Sequence, residues 1–273
     1  MGLLLCSPVL ANSSSQQLFE QGMEAFKSGN YGSSELIFRK VVDADDEYRD
    51  RAWFYLARSI FNQKNYKSAI FEFNRFLLIC TTPEICSEAR YWIAESYFHM
   101  KEYIKAIEEY RRFIARGSSN RLIVGSYDRI GEIYYIQERY DEAIIEWKKA
   151  VAKNESKKQD SGRIVKIGEA MFQNREYEEA LKLLEPLMYT LDDIRTASHA
   201  RLIVGRSYQL KENHGKALRI FRSIPDSLVK ESPFYDAQYY KALSYLELNE
   251  TATARFYLES FILIGQDSRW YYN

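Results

Sequence analysis

Residues 127–150 read YDRIGEIYYIQERYDEAIIEWKKA, and this stretch sets the register for the whole 273-residue chain. Two apolar segments with helical spacing flank a short polar turn, which indicates two helices joined as a hairpin. The small residue Gly131 in the first segment is followed twelve residues later by Ala143 in the second. The first small residue recurs at intervals of 35 and then 37 residues, at Gly22, Ala57, Ala94, Gly131, Gly168, Gly205 and Ala242. A period of that length is typical of repeat architectures.

Three further columns of residues keep the same phase. The second small residue recurs at Ser34, Ala69, Ala106, Ala143, Ala180, Ala217 and Ala254. Three residues before it stands a tyrosine in the first five copies, at Tyr31, Tyr66, Tyr103, Tyr140 and Tyr177. Four residues after it stands a large apolar side chain, at Phe38, Phe73, Tyr110, Trp147, Leu184, Phe221 and Leu258. Small residues permit a close helix crossing, so the sequence predicts an all-α fold of seven helix hairpins that stack on their neighbours.

Helix boundaries can also be predicted. Ser14 and Gln17 have the spacing of a capping box at the start of the first helix. Thr82 precedes Pro83 as an N-cap residue precedes a proline at the first helical position. Pro186 falls inside the second helix of the fifth repeat, where we expect it to kink the helix, and Pro225 should close the sixth repeat early.

The columns resemble the signature of the tetratricopeptide repeat (TPR), in which a bulky residue, Leu-Gly, an aromatic residue, then Ala, Phe and Ala recur through two antiparallel helices. The copy that fits best consists of Tyr127, Ile130, Gly131, Tyr134, Tyr140, Ala143, Trp147 and Ala150. The resemblance implies an all-α, α-α superhelical TPR solenoid of seven helix-hairpin repeats, forming a single domain over residues 12–267. The usual repeat has about 34 residues, so this one is lengthened.

Within the superfamily, residues 89–97 (ARYWIAESY) with residues 103–107 (YIKAI) resemble bacterial envelope proteins. Two groups are similar: the outer-membrane β-barrel assembly lipoproteins and the periplasmic Tol–Pal-associated coordinators. This resemblance implies a scaffold or adaptor in the bacterial periplasm that serves cell-envelope or outer-membrane assembly or maintenance. The alternative is a ligand-binding accessory subunit of a transport system, with a small molecule held among Tyr91, Trp92, Tyr135 and nearby glutamates.

The N-terminal segment and the cysteines bear on localisation. Residues 1–11 contain a short apolar run that ends Val9-Leu10-Ala11, a pattern that predicts a signal peptide and export to the periplasm. Leu5 stands before Cys6, where a lipoprotein signal requires a small residue, so lipidation and direct outer-membrane association are disfavoured but open. Cys80 and Cys86 are close enough in sequence to form a disulfide in an oxidising compartment, or they are two small buried apolar residues.

Composition and motifs exclude several functions. The 38 basic and 38 acidic residues cancel, so there is no electrostatic reason to expect nucleic acid, or a membrane other than through partner proteins. The three histidines belong to different repeats and have no catalytic partner at a recognised spacing. No glycine-rich phosphate loop or His/Cys cluster occurs. The sequence therefore predicts no enzyme, no cofactor and no metal.

The resemblance implies that the first helix of each repeat lines a concave groove. The residue after each first small residue should face that groove, as should the residue four positions earlier. The groove residues predicted in this way to bind a partner are Phe54, Arg58, Tyr91, Glu95, Glu132, Glu169 and Arg206. Three central glutamates between two arginines favour a partner protein that offers an extended or helical segment with basic residues. The alternative is an ordinary solvated helix face.

Residues 268–273, SRWYYN, form an aromatic C-terminal tail. It caps the last repeat, or it docks against a partner or a second copy of the chain, so self-association stays open.

Overall fold

The computed structural model describes residues 14–44, 47–116, 119–155, 160–228, 231 and 233–267. The predicted signal peptide (1–11) and aromatic tail (268–273) lie outside the described residues. Within them there is no β-strand, and the predicted all-α fold is confirmed. The fourteen α-helices found there are α1 (Ser15–Lys27), α2 (Tyr31–Asp43), α3 (Arg49–Asn62), α4 (Tyr66–Ile79), α5 (Pro83–His99), α6 (Tyr103–Arg116), α7 (Asn120–Ile136), α8 (Tyr140–Lys153), α9 (Ser161–Gln173), α10 (Tyr177–Leu184), α11 (Ile194–Leu210), α12 (His214–Arg222), α13 (Asp236–Glu247) and α14 (Thr251–Asp267).

The chain divides into two compact units, unit 1 up to Ser126 and unit 2 from Tyr127, with the boundary inside α7. In unit 1 the helices α1 to α6 each pack against their neighbours in sequence, and α3 also packs against α1 and α5. In unit 2 the helices α8 to α14 follow the same rule, and α11 also packs against α9 and α13. First helices of successive repeats therefore lie side by side within each unit. That residues 12–267 form one solenoid stays a prediction.

The two helices of a hairpin cross where the small and large columns meet. A Cβ atom added to Gly22 would lie 2.7 Å from the ring of Phe38, and one added to Gly131 would lie 2.6 Å from the indole of Trp147. Phe38 is fully buried and Trp147 is buried. Both distances are too short for a non-bonded contact, so a larger side chain at either glycine would force the helices apart. The predicted close crossing is confirmed.

Each unit has its own apolar core. The core of unit 1 includes Phe38, Phe54, Phe73 and Phe76 together with aromatic side chains from α1, α3 and α5. The largest cluster in unit 2 is built around residues of α9 to α13, with Phe221 fully buried. Many of the abundant aromatic side chains therefore stabilise the stack by apolar burial.

Three of the boundary predictions hold and one is wrong. As predicted, α5 begins at Pro83 with Thr82 as its N-cap residue. Ser14 and Gln17 form the capping box, with the Gln17 amide 3.3 Å from Ser14 Oγ and the Ser14 amide 3.2 Å from Gln17 Oε1. After α12 ends at Arg222, a 3₁₀ turn at Asp226–Leu228 follows Pro225. Pro186 does not kink its helix, because α10 ends at Leu184 and turns follow. Glu185 keeps helical dihedral angles, but Pro186 has no amide hydrogen to continue the hydrogen-bond ladder, so the helix stops.

A further column of the repeat concerns the turn between the two helices of each hairpin. Six residues there have φ between 58° and 64°, and a seventh, in the first repeat, is Gly29 at 79°. The six are Lys64, Lys101, Glu138, Arg175, Glu212 and Asn249. At Lys101 the amide donates to the carbonyl of Phe98 and the next amide donates to that of Tyr97, which closes the end of α5. Each non-glycine residue pays a Cβ clash of about 1–2 kcal/mol in this conformation.

We predict that Lys101→Gly raises the stability of the chain by about 0.5–1 kcal/mol. Relief of the left-handed strain exceeds the extra backbone entropy that glycine loses on folding, which is about 0.5–1 kcal/mol. Urea denaturation followed by far-UV circular dichroism measures the change in midpoint. Lys101→Ala is the matched control, since alanine keeps the Cβ atom and should give no gain. An equal rise in both variants would contradict the argument.

Candidate partner-binding site

The seven predicted groove residues divide between the two units. Unit 1 holds Phe54, Arg58, Tyr91 and Glu95, and unit 2 holds Glu132, Glu169 and Arg206. The surroundings of each set are described within its own unit.

Two of the predicted groove residues lie in the interior of unit 1. Phe54 is 5% exposed, and its ring centroid lies 6.0 Å from that of Phe73. Glu95 is 4% exposed, and its Oε1 accepts a hydrogen bond of 2.5 Å from the hydroxyl of Tyr110. Both partners belong to the second helix of the same repeat, so the hairpin itself encloses these side chains. This corrects their assignment to an open groove.

Arg58 has a different environment, made of aromatic rings. Its guanidinium carbon lies 3.6 Å from the ring centroid of Trp92 on α5 and 5.4 Å from that of Phe26 on α1. Because α3 packs between α1 and α5, the side chain lies between rings from the two flanking repeats. Arg58 makes no hydrogen bond or ion pair with any described residue. Its Nε is shielded from solvent without a partner, and so is Nε1 of Trp92.

One carboxylate accompanies Arg58. Glu88, on the first helix of the next repeat, is half-buried. Burial raises the pKa of Glu88, and the positive charge of Arg58 opposes that rise. Burial likewise lowers the pKa of Arg58, against the influence of Tyr55 and Glu88. The cluster therefore pairs a desolvated cation with a desolvated carboxylate that does not approach it closely enough for an ion pair.

Unit 2 repeats this arrangement around Arg206. Its guanidinium carbon lies 4.5 Å from the ring centroid of Phe172 on α9 and 4.7 Å from that of Tyr240 on α13. Arg206 makes no hydrogen bond or ion pair with the part of the chain that the structure describes. Burial raises the pKa of Asp236, and Arg206 opposes the rise. The arginine, both rings and the carboxylate occupy the same repeat positions as their counterparts around Arg58.

At Glu169 a carboxylate takes the place of the arginine. Its Oε2 lies 3.6 Å from Nε2 of His199, which occupies the repeat position of Glu88 and Asp236. Burial alone would raise the pKa of Glu169, but the nearby His199, Tyr135 and Lys166 outweigh it and lower the pKa. Burial, and then the charge of Glu169, raises the pKa of Tyr135.

The two other predicted groove residues also have intramolecular partners. Glu132 forms an ion pair of 3.0 Å with Arg129 one turn earlier. The ring of Tyr91 packs 5.3 Å from Trp92 and 5.9 Å from Tyr110. The glutamates of the predicted acidic row are therefore engaged within the chain. Three partners of the predicted groove residues lie six positions before the first small residue of the next repeat, at Glu88, His199 and Asp236, and they were not predicted from the sequence. A charged or ionisable residue at that position, opposite in type to the groove residue, was the signal that could have found them.

The structure joins Cys80 to Cys86 by a disulfide, with 5.8 Å between their Cα atoms. The bridge connects the end of α4 to the first turn of α5. The backbone amide and hydroxyl of Thr81, between them, both donate to Asp50 Oδ2, at 3.1 and 3.0 Å. The connection between repeats two and three is thus held at two points.

The described residues offer neither a metal centre nor a membrane-spanning helix. No three histidine, cysteine, aspartate or glutamate side chains among them are grouped so as to hold a metal ion. None of the described helices has the length and apolar character required to span a bilayer.

We predict that Glu169 contributes to stability in a pH-dependent way. Its folded pKa lies below the ordinary value, so the contribution is present above that value and is lost as the pH falls through the folded pKa. Thermal denaturation of wild type and Glu169→Gln between about pH 6 and pH 3 should therefore show a stability difference that shrinks toward acid. Glu212→Gln, at an exposed turn, is the control and should show no such trend.

Comparisons with known proteins agree with this architecture. A family model described as anaphase-promoting complex, cyclosome, subunit 3 matches residues 27–113, and one described as tetratricopeptide repeat matches residues 236–263. Curated protein sequences give no match.

Solved structures with the same fold cover most of the chain. The C-terminal part of a TPR repeat-containing protein from Cytophaga hutchinsonii has a TM-score of 0.74 and 16% identity, covering 92% of this chain and 96% of that one. A tetratricopeptide repeat protein from Parabacteroides merdae has a TM-score of 0.59 and 14% identity, covering 92% and 93%. YrrB, described as a TPR protein with an unusual peptide-binding site, has a TM-score of 0.57 and 18% identity, covering 75% and 97%. At these identities the likeness shows the fold alone.

Proposed function

The chain belongs to the tetratricopeptide repeat superfamily, and from that premise we propose that it is a scaffold that binds a peptide segment of other proteins through the first helices of its repeats. The observation that carries the proposal is Arg58. It is a half-buried cation with aromatic rings against it, yet it makes no hydrogen bond with any described residue. Side chains of that kind are usually paired, because an unpaired charge is costly to desolvate. A bound partner would supply the missing acceptor.

Two further observations support a scaffold. Neither matching family model describes a catalytic family. The solved structure of YrrB, which shares the fold, is described as having a peptide-binding site, so this architecture can hold a peptide. The sequence-based expectation that the partner segment is basic stays a prediction, and the intramolecular partners of Glu95 and Glu169 weaken the argument for it.

The first test is selection from a library of random dodecapeptides displayed on phage. We expect the folded protein to recover peptides that then bind in solution with saturable affinity, measured by fluorescence anisotropy. Heat-unfolded protein on the same matrix is the control. Recovery no greater than that of the control would contradict the scaffold proposal, since a first-helix surface that accepts peptide segments should enrich some of them.

We also propose that the protein works in the bacterial periplasm, in cell-envelope or outer-membrane assembly or maintenance. The apolar pattern of residues 1–11, the envelope-like residues 89–97 and the Cys80–Cys86 bridge support this placement. Disulfides form and persist in oxidising compartments and are rare in the cytosol.

We predict that Cys80 and Cys86 are oxidised in the cell and that reduction lowers stability by about 2 kcal/mol, as the chain-entropy model gives for a loop this short. A maleimide reagent should label neither thiol in protein released by osmotic shock from a Gram-negative host until a reductant is added. Cys80→Ser with Cys86→Ser should melt at the temperature of the reduced wild type. Labelling before reduction, or recovery only with the cytosol, would contradict the periplasmic placement.

A further inference from the structure

The two arginine clusters indicate the chemistry of the partner. Resting on the scaffold function proposed above, we propose that Arg58 and Arg206 each bind a carboxylate of an acidic segment in a partner protein. Cluster 1 consists of Arg58, Phe26, Trp92 and Glu88, and cluster 2 of Arg206, Phe172, Tyr240 and Asp236. Each cluster is a separate subsite within its own unit.

In both clusters the N–H donors of the arginine remain available in one direction. Rings from the flanking helices lie against the guanidinium group in both clusters, at 3.6 and 5.4 Å for Arg58 and at 4.5 and 4.7 Å for Arg206. A stacked guanidinium presents its N–H donors in its own plane, at the edge that the rings leave free. That edge matches the two oxygens of a carboxylate.

These donors have no acceptor among the described residues. Other arginines stacked on rings do have one: Arg75, 5.1 Å from the Trp53 ring, forms an ion pair with Glu72, and Arg139, 4.5 Å from the Tyr134 ring, forms one with Glu142. Arg58 and Arg206 make neither hydrogen bonds nor ion pairs with the described residues. Arg51, 4.8 Å from the Phe19 ring, also lacks an acceptor among the described residues, but it is exposed, whereas Arg58 and Arg206 are half-buried.

The unsatisfied buried atoms of cluster 1 indicate which kind of group is missing. Nε of Arg58 and Nε1 of Trp92 are both buried donors without a partner, and Glu88 is the one carboxylate that acts electrostatically on Arg58. Both unsatisfied atoms are donors, so the group that would satisfy them is an acceptor. A basic segment would instead add donors and place a second positive charge beside Arg58, and both effects are unfavourable.

The chain's own carboxylates, Glu88 and Asp236, compete with a partner for Arg58 and Arg206. Burial raises the pKa of Glu88 and of Asp236, so desolvation makes the ionised form of each less favourable. Each carboxylate lies near its arginine but does not form an ion pair with it. A carboxylate from a partner that reaches the guanidinium edge directly would make the charge-assisted hydrogen bonds that these two do not make.

The experiment extends the phage selection. Dodecapeptides recovered by the wild type should be enriched in aspartate and glutamate. The double variant Arg58→Met, Arg206→Met should lose that enrichment, while Arg75→Met, Arg139→Met, the matched control with rings and internal ion pairs, should keep it. Peptides recovered without acidic enrichment, or with the same enrichment by the double variant, would overturn the carboxylate proposal and leave peptide binding standing. Failure to recover any peptide would overturn the scaffold proposal and this one together.

A titration separates binding from a loss of packing. The affinity of a recovered acidic peptide should fall about tenfold or more for Arg58→Met, and for the peptide's own Asn/Gln isostere, and it should fall as salt is raised. Glu88→Gln and Asp236→Asn should instead tighten binding several-fold, because each removes a competing negative charge. A purely structural role for the arginines gives no such gain, so unchanged or weaker binding by both variants would overturn the proposal.

Discussion

The close crossing of the two helices in each hairpin is the constraint on which the rest of each unit depends. It requires a small residue on the first helix opposite a large buried one on the second, as at Gly22 with Phe38 and at Gly131 with Trp147. Because the crossing fixes the rotation of every first helix, successive first helices present equivalent residues to one another. This fixed rotation is why aromatic rings and charged groups of neighbouring repeats come into contact.

The same constraint explains which features the sequence could predict. The residue types and their spacing alone predict three features: the columns of small and large residues, the capping box at Ser14 and the seven hairpins. The left-handed turn position is not predictable in this way, since charged residues occupy it in five repeats and only Gly29 and Asn249 are residue types that favour positive φ. Tertiary packing there holds a conformation that the residues themselves disfavour.

The candidate site could be predicted by position but not by environment. Glu95 and Arg58 occupy the same repeat position, yet Glu95 is enclosed and Arg58 is half-buried. The difference lies in the large residue of the second helix. Tyr110 offers a hydroxyl that draws Glu95 into the hairpin, whereas the equivalent Phe73 offers Arg58 no polar atom. A periodic pattern cannot show this, because it depends on one oxygen in a neighbouring column.

A single electrostatic relation then accounts for the charges along the first helices. In three cases the next repeat supplies a charged or ionisable residue six positions before its first small residue. That residue and the groove residue of the preceding repeat then influence each other electrostatically. The pairs are Arg58 with Glu88, Glu169 with His199, and Arg206 with Asp236. Where that position is Gly125 or Gly162, the glutamate finds its partner within its own repeat, Tyr110 or Arg129. Among the charged side chains that directly follow the first small residue of a repeat, only Arg58 and Arg206 lack a hydrogen bond or ion pair with a described residue. Binding capacity therefore resides in the exceptions to internal pairing, and an acidic partner is the one that would complete them.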